Sequence, residues 1–471
     1  MSRATKREPV GVVTQYLNTE PLLLAYFRLS FFISDVNGVT CKQLCPKVLG
    51  TRSRQFKWKC ELYFDSIGMG VFKYSVLDFL LICAGLLFLL LDIALDIYAV
   101  VSFYQEKDYV SLGILLLLLV GSSFLVQAYS WLWYSYEDFE RQTKVEKCLS
   151  LCQLKILHVF QLGIYFRHAG VVEMSVRSFL KKRNDPGSIA VYLSHDLSML
   201  RLIETFSESA PQLVLMLTII MRRGELDPVT VLKALGSASA IAFSVTMYHR
   251  SLRSFLPDKM KQEMISSVVY FLWNLFLISS RLTALALFAS MLPCFIFTHF
   301  FCSWVVLFFF VWQSKTDFMN SPCGEWLYRA TVGLIWYFDW FNVVEGRTRY
   351  RTMLYHGYML VDISLLCSLW CWKMITEPPY FVISPLYAVI TAVSVVVVYI
   401  LGLISKIIYY QCYHPNLAKA ELKDAFVGDE VDFHMCQPSD EDVTNRSGLS
   451  PPAPDIKHNK RMRKLAENFY S

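Results

Sequence analysis

An all-α polytopic membrane protein is the fold class this sequence predicts, and three observations predict it. Of its 471 residues, 55% are hydrophobic and only 18% are charged, whereas a soluble chain of this size carries about a quarter charged. Apolar runs longer than about 18 residues recur along the chain, the length at which a helix spans a bilayer core. Lys and Arg gather in alternate connections between these runs, the asymmetry that fixes membrane topology. The net charge of +6 is small and spread over many connections, so it reflects topology rather than nucleic-acid binding.

Residues 1–70 are mixed in character and contain no clear span, and they are taken as an N-terminal cytoplasmic extension. Their basic start (Arg3, Lys6, Arg7) precedes an apolar stretch that Arg28 interrupts, and no small-residue cleavage site follows. This is not the pattern of a cleaved signal peptide. Cys41, Cys45 and Cys60 offer three zinc ligands at loose spacing with no fourth, so no metal or other cofactor is expected.

Ten apolar segments follow, at about 75–103, 109–134, 149–167, 192–221, 229–248, 263–285, 287–313, 326–343, 354–374 and 382–411. The third carries Lys155, His158 and Gln161, and the eighth carries Arg329 and Asp339. Both are short, which suits helices that dip into the bilayer and return. Each is the third of a group of five, so the chain divides into two similar halves of four spans and one dipping helix, as internal repeats do. Eight spans with both termini cytoplasmic place Arg141, Lys144, Lys147, Arg177, Lys181, Lys182, Arg183, Arg250, Arg253, Lys259, Lys261, Arg347, Arg349 and Arg351 inside. Only Lys107, Arg222, Arg223 and Lys373 fall outside. The expected organisation is an extension (1–70), a membrane core (71–413) and a cytosolic tail (414–471).

Charge at membrane depth carries the functional reading. In the first span Asp78, Asp92 and Asp96 are fourteen and four residues apart, so they fall within about 40° of one line and cover about 27 Å of helix. An ionised carboxylate at mid-bilayer costs about 2.5–3.5 kcal/mol on insertion scales, so this stripe must face protein or water. In the fourth segment Arg201, Glu204 and Glu208 share one face, with Arg201 placed to pair with Glu204. Asp196 and Gln212 flank that face, and Pro211 is expected to kink the helix. Arg281, with Asn274 two turns earlier, and Asp362 add polar groups at depth. Two readings stay open: buried ion pairs that staple helices, or a polar staircase along which a headgroup or ion passes. No phosphate-cradling glycine loop and no nucleophile–base constellation is present in the sequence, so any transport is passive or gradient-driven and no enzyme is expected.

The tail contains "GDEVDF" at 428–433. Asp429, Glu430, Val431 and Asp432 read as an executioner-caspase site, although Phe433 after the cut is bulkier than such enzymes prefer. The chain ends in "KHNKRMRKLAENFYS", where Met462, Leu465 and Phe469 share a helical face among basic residues. Such a helix suits the anionic inner leaflet.

The stretches "LSHDLSMLRLIETFSESAPQLVL" (193–215), "SSVVYFLWNLFLISSRLTALALF" (266–288), "TDFMNSPCGEWLYRATVG" (316–333), "FNVVEGRTR" (341–349) and "YYQCYHPN" (409–416) resemble the XK-related family of phospholipid scramblases. The likeness covers roughly residues 72–471. It implies eight spans plus two membrane-dipping helices in two pseudo-repeats, at the plasma membrane. It further implies energy-independent lipid movement that exposes phosphatidylserine on dying cells, and pairing with a single-span immunoglobulin-type chaperone such as basigin or neuroplastin. The family's intramembrane charges correspond to Asp78, Asp92, Asp96, Arg167, Asp196, Arg201, Glu204, Glu208, Arg250, Arg281 and Asp362 here. Met247 stands where relatives carry an acid. The resemblance also implies that the tail helix docks beneath the spans and closes the pathway until a caspase releases it. A solute transporter or channel using the same charges, and a non-transporting scaffold, remain alternatives.

Overall fold

The computed structural model describes residues 76–414, apart from the connections 137–142, 181–185, 225–227, 256–261, 344–348 and 378–383 and positions 315, 317 and 320. The N-terminal cysteines, the tetrad Asp429–Asp432 and the tail residues Met462, Leu465 and Phe469 therefore lie outside the described residues. All regular structure among the described residues is helical.

Helix α1 (Val76–Gln105) is a Leu-rich run without proline. It turns at Lys107, whose φ is 59°. Asp108 then caps α2 (Tyr109–Tyr136) by accepting from the Ser111 amide and hydroxyl at 3.2 and 2.7 Å. After the single turn α3 (Lys144–Lys147), Ser150 and Gln153 form a capping box that starts α4 (Leu151–Val159).

The segment 149–167, expected to dip and return, folds as a helical hairpin. Gln161 adopts a left-handed φ of 62° and is pinned to α2, its carbonyl accepting from Gln127 Nε2 at 2.9 Å and its Oε1 from Ser123 at 2.7 Å. The chain returns as α5 (Gly163–Leu180). Gly163 is required there, because any Cβ would collide with the His158 ring. Apolar residues continue through this corner (Val159, Phe160, Leu162, Ile164), so the break is set by one backbone conformation rather than by composition.

Three pieces form the next rod: α6 (Pro186–Glu204), a π-helical turn (Thr205–Ser209) and α7 (Ala210–Arg223), ended by Gly224 at φ 72°. Pro211 lacks an N–H and crowds the preceding turn, and the widened turn just before it accommodates that loss. Helices α8 (Pro228–Phe255), α9 (Met264–Met291), α10 (Phe295–Gln313), α11 (Pro322–Phe338), α12 (Arg349–Thr376) and α13 (Pro385–Ile408) follow, the last continuing into a π turn (Tyr409–Tyr413). Helix α11 begins at a Ser321 cap and Asp339 ends it, and the chain is no longer helical over 339–343. Each of the two expected dipping segments thus includes a helix opened by a serine cap, α4 in the first half and α11 in the second.

Seven of these helices are long and apolar enough to cross a membrane: α1, α2, α8, α9, α10, α12 and α13 with its π turn. The eighth expected span is the rod 186–223, whose Asp196, Arg201, Glu204 and Glu208 lower its apolarity. Helix α9 is the most buried of the seven and packs against α7, α8, α12 and α13. It meets α13 tightly at Gly402, where a Cβ would lie 2.7 Å from Leu277 Cδ2 and 3.1 Å from its backbone nitrogen. Gly402→Val forces these helices apart. We expect it to cost about 1–3 kcal/mol, read as a lowered melting temperature of the solubilised protein.

Candidate functional site

Nine of the eleven charged residues singled out in the sequence fall into three groups. The first lies between α1 and the α6–α7 rod. Arg201 pairs with Asp92 at 2.7 Å and with Glu204 at 2.8 Å. Gln212 donates to Asp96 at 2.9 Å, and at the far end Arg223 pairs with Glu106. The side chains of Arg201, Asp92 and Glu204 remain 20%, 27% and 21% exposed, although Asp92 lies midway along the candidate span Phe79–Gln105. Glu208, 7% exposed, closes the group from the π turn. Carboxylate oxygens of Asp92, Glu204 and Glu208 lie within 4.8 Å of one another. This is the only such group of potential metal ligands among the described residues, a geometry that hard cations accept and that Arg201 already partly neutralises.

Helix α1 packs mainly on α2 and α5, while at this level it meets the rod through polar side chains. Apolar plugs seal the seam on both sides of the charges. Towards the C-terminal end of α1, Ala99, Phe103 and Leu115 pack with Leu215, Met216 and Ile219. Towards its N-terminal end, Val171, Met174 and Leu193 pack with Ile82 and Leu197. Asp78 lies in α1 below this plug, and its side chain is outside the described residues.

The second group is buried. Arg167 on α5 pairs with Asp196 on α6 at 3.4 Å, donates to the Ser130 hydroxyl and carbonyl on α2 at 2.7 and 3.0 Å, and lies 3.9 Å from the Tyr134 ring centre. Tyr134 in turn donates to buried Glu146 at 2.6 Å. This network ties α2, α3, α5 and α6 at one end of the first half.

The third group is buried in the second half. Arg281 on α9 pairs with Asp362 on α12 at 2.5 Å, its side chain 1% exposed. Its Nε donates to the Tyr337 carbonyl at 3.0 Å. His299 on α10 joins this group, bonding Asp362 at 3.1 Å and the Tyr337 hydroxyl at 3.0 Å. His299 was not singled out from the sequence, yet a lone histidine in the apolar run Phe295–Gln313 is the signal that marks it. Asn274 stays apart from Arg281 and bonds the Tyr270 carbonyl at 2.7 Å. Arg250 donates to the Gln262 carbonyl and the Ser267 hydroxyl at 3.1 and 2.9 Å.

The charges whose side chains are described therefore do not form one continuous line. One partly open polar chamber stands between two apolar plugs, and two dry ion pairs brace the frame around it. Such a chamber holds charged or zwitterionic groups away from hydrocarbon, and its arginine and carboxylates offer both signs to a ligand.

The family model "XK-related protein" matches residues 80–415. The chain is 41% identical over 409 residues to "XK-related protein 8" of Tetraodon nigroviridis, covering 85% of this chain and 98% of that one. It is 40% identical over 407 residues to the protein of the same name from Gasterosteus aculeatus, with the same coverage. It is 34% identical over 401 residues to that from Pan troglodytes, covering 83% and 94%. The matched span runs from within α1 through the final π turn, with the polar chamber and both braces inside it, and the chain belongs to the XK-related family.

Proposed function

We propose that this protein is a passive phospholipid scramblase of the plasma membrane, with both termini cytosolic, that a caspase switches on by cutting after Asp432. The observation that carries this reading is the seam between α1 and the α6–α7 rod. Its charges stay partly exposed at membrane depth, and apolar plugs close it on either side. A phospholipid headgroup carries phosphate and an amine or its equivalent. Arg201 suits the first, and Asp92, Asp96, Glu204 and Glu208 suit the second, while the acyl chains remain in the surrounding bilayer. No covalent step is required, so activity amounts to opening the plugs. In this reading Arg167–Asp196 and Arg281–Asp362 hold the frame rather than touch lipid, because their burial leaves no path to them.

The cysteine pair Asp96→Cys/Gln212→Cys tests the route. A short bifunctional thiol reagent across these positions is expected to block lipid movement and leave surface delivery unchanged; undiminished movement after full cross-linking places the route elsewhere. The outer plug gives a second test. Phe103→Ala removes the largest side chain of that cluster and is expected to raise basal phosphatidylserine exposure severalfold without any cut, as read by annexin staining.

The switch rests on the sequence of the tail. A cut after Asp432 releases residues 433–471, and with them the basic amphipathic segment at Met462, Leu465 and Phe469. If that segment binds only the closed state, its loss shifts the population towards the open one. Asp432→Ala is then expected to abolish stimulus-dependent exposure, and a chain ending at Asp432 to expose phosphatidylserine without a stimulus. A truncated chain no more active than the full one rules out the switch. An executioner caspase and a single-span immunoglobulin-type chaperone are the partners this reading assigns. A solute transporter using the same chamber would instead give current or solute flux without lipid transfer.

A further inference from the structure

Arg253, in the last turn of α8, is a buried cation whose anion is missing from the described chain. It is only 2% exposed. Its Nη2 donates to Nε2 of His414 at 3.1 Å, while Nε and Nη1 meet no hydrogen-bond partner. The other deep arginines show what such a group ordinarily finds. Arg167 has Asp196, Arg201 has Asp92 and Glu204, and Arg281 has Asp362. A guanidinium held away from water with two of its nitrogens unsatisfied is strongly unfavourable unless an anion completes it.

The surroundings point to the kind of anion. Arg253 stands at the end of the bundle that the positive-inside pattern assigns to the cytosol, where the bilayer surface is negative. Arg250 lies one turn earlier on the same helix and donates to Gln262 and Ser267, which adds positive potential. The His414 ring stacks on Tyr410, with centres 5.3 Å apart, and meets Tyr409 edge-on at 5.8 Å. Tyr410 and Tyr413 are exposed, as aromatic residues are at the level of lipid headgroups.

We propose that Arg253 and His414 form a binding site for the phosphate oxyanion of an anionic phospholipid in the cytosol-facing leaflet. The phosphate completes Nε and Nη1 of Arg253 with charge-assisted hydrogen bonds, for which a guanidinium is well shaped. The tyrosines flank the glycerol region. His414 covers the guanidinium in the state described, so the lipid enters as that ring turns aside. The site lies at the α8–α13 end, apart from the α1–rod seam, so it holds a bound lipid rather than one in transit. It does not depend on the lipid-transport reading.

The test is thermal melting of the full chain in nanodiscs of phosphatidylcholine alone, of phosphatidylcholine with phosphatidic acid, and of phosphatidylcholine alone with inorganic phosphate in the buffer. Phosphatidic acid is expected to raise the melting temperature in a saturable way. Arg253→Gln is expected to shift the half-saturating lipid fraction upward by at least about tenfold, which corresponds to about 1.4 kcal/mol. Arg177→Gln, at a partly exposed arginine paired with Glu173 on α5, is expected to keep the wild-type response. Should Arg253→Gln not fold, Arg253→Lys and His414→Ala carry the comparison, each with a weakened response. An equal response in all variants overturns the site. Stabilisation by inorganic phosphate alone overturns the lipid assignment in favour of a free anion. No response of the wild type to either probe also overturns the proposal, leaving an acid of the chain itself as the partner.

Discussion

Arg281→Ala is expected to be the most destabilising single change in the membrane core. It strands Asp362 in a pocket where its remaining partner is His299, and it removes the donor to the Tyr337 carbonyl. Removing one partner of a buried ion pair costs about 3–5 kcal/mol, because an uncompensated charge stays behind. The expected readout is a steep loss of surface protein and a melting temperature lowered by many degrees in detergent. The pair itself need not be net stabilising. Arg281→Met combined with Asp362→Leu fills the same space without charge, and is expected to recover most of the loss. If the double variant is as unstable as the single one, the geometry of the pair, rather than its burial, holds α9, α10 and α12 in register. Lipid movement by the double variant is expected to persist, since neither residue faces the seam.

Arg201→Gln is expected to have the opposite balance, with a larger effect on transport than on folding. Arg201 is the cation among three carboxylates whose oxygens lie within 4.8 Å of one another. Without it, Asp92, Glu204 and Glu208 repel one another across the space that separates α1 from the rod. Because this group is partly exposed, solvent and counter-ions relieve part of the penalty, and a loss of roughly 1–2 kcal/mol in stability is expected. Lipid movement is expected to fall at least about tenfold, since a charge-assisted phosphate contact of this kind contributes roughly 1.5–3 kcal/mol. Arg201→Lys keeps the charge and loses the fork between Asp92 and Glu204, and is expected to lie between the two. Transport unaffected by Arg201→Gln in a folded, surface-delivered protein would remove the seam from the pathway.

Much of this architecture is legible in the sequence, for a physical reason. Bilayer hydrocarbon imposes one requirement on every span, so length and apolarity alone locate α1, α2, α8, α9, α10, α12 and α13. The i, i+3 spacing that predicts Arg201 beside Glu204 depends only on helix geometry, and the pair forms at 2.8 Å. Helical periodicity also places Asp92 and Asp96 on one side of α1, where Arg201 and Gln212 reach them.

What the sequence leaves open depends on partners distant along the chain. Arg281 finds Asp362 across 81 positions and Tyr129 finds Thr331 across 202, and no local pattern encodes either. The hairpin at Gln161 turns on a single left-handed residue held by α2. The π turn at Thr205–Ser209 is foreshadowed only by Pro211, which reads as a kink. The division of the charges into one open chamber and two dry braces could not be foreseen either. Those aspartates and arginines are the same residue types in similar apolar runs, and only packing decides which of them stays wet. The switch tetrad and the tail segment have clear sequence patterns, yet they lie outside the described residues, so their mechanism rests on the tests above.

The central claim is that cutting this chain after Asp432 opens a path for lipid between leaflets. The most direct measurement uses the purified full chain in liposomes carrying a headgroup-labelled fluorescent phospholipid, with a membrane-impermeant reductant added outside before and after caspase treatment. The account predicts that bleaching stops at the outer-leaflet half before the cut and runs towards completion after it, with no such gain in the Asp432→Ala protein. Bleaching that stays at the outer-leaflet half after complete cleavage, in vesicles shown to hold folded protein, would contradict it.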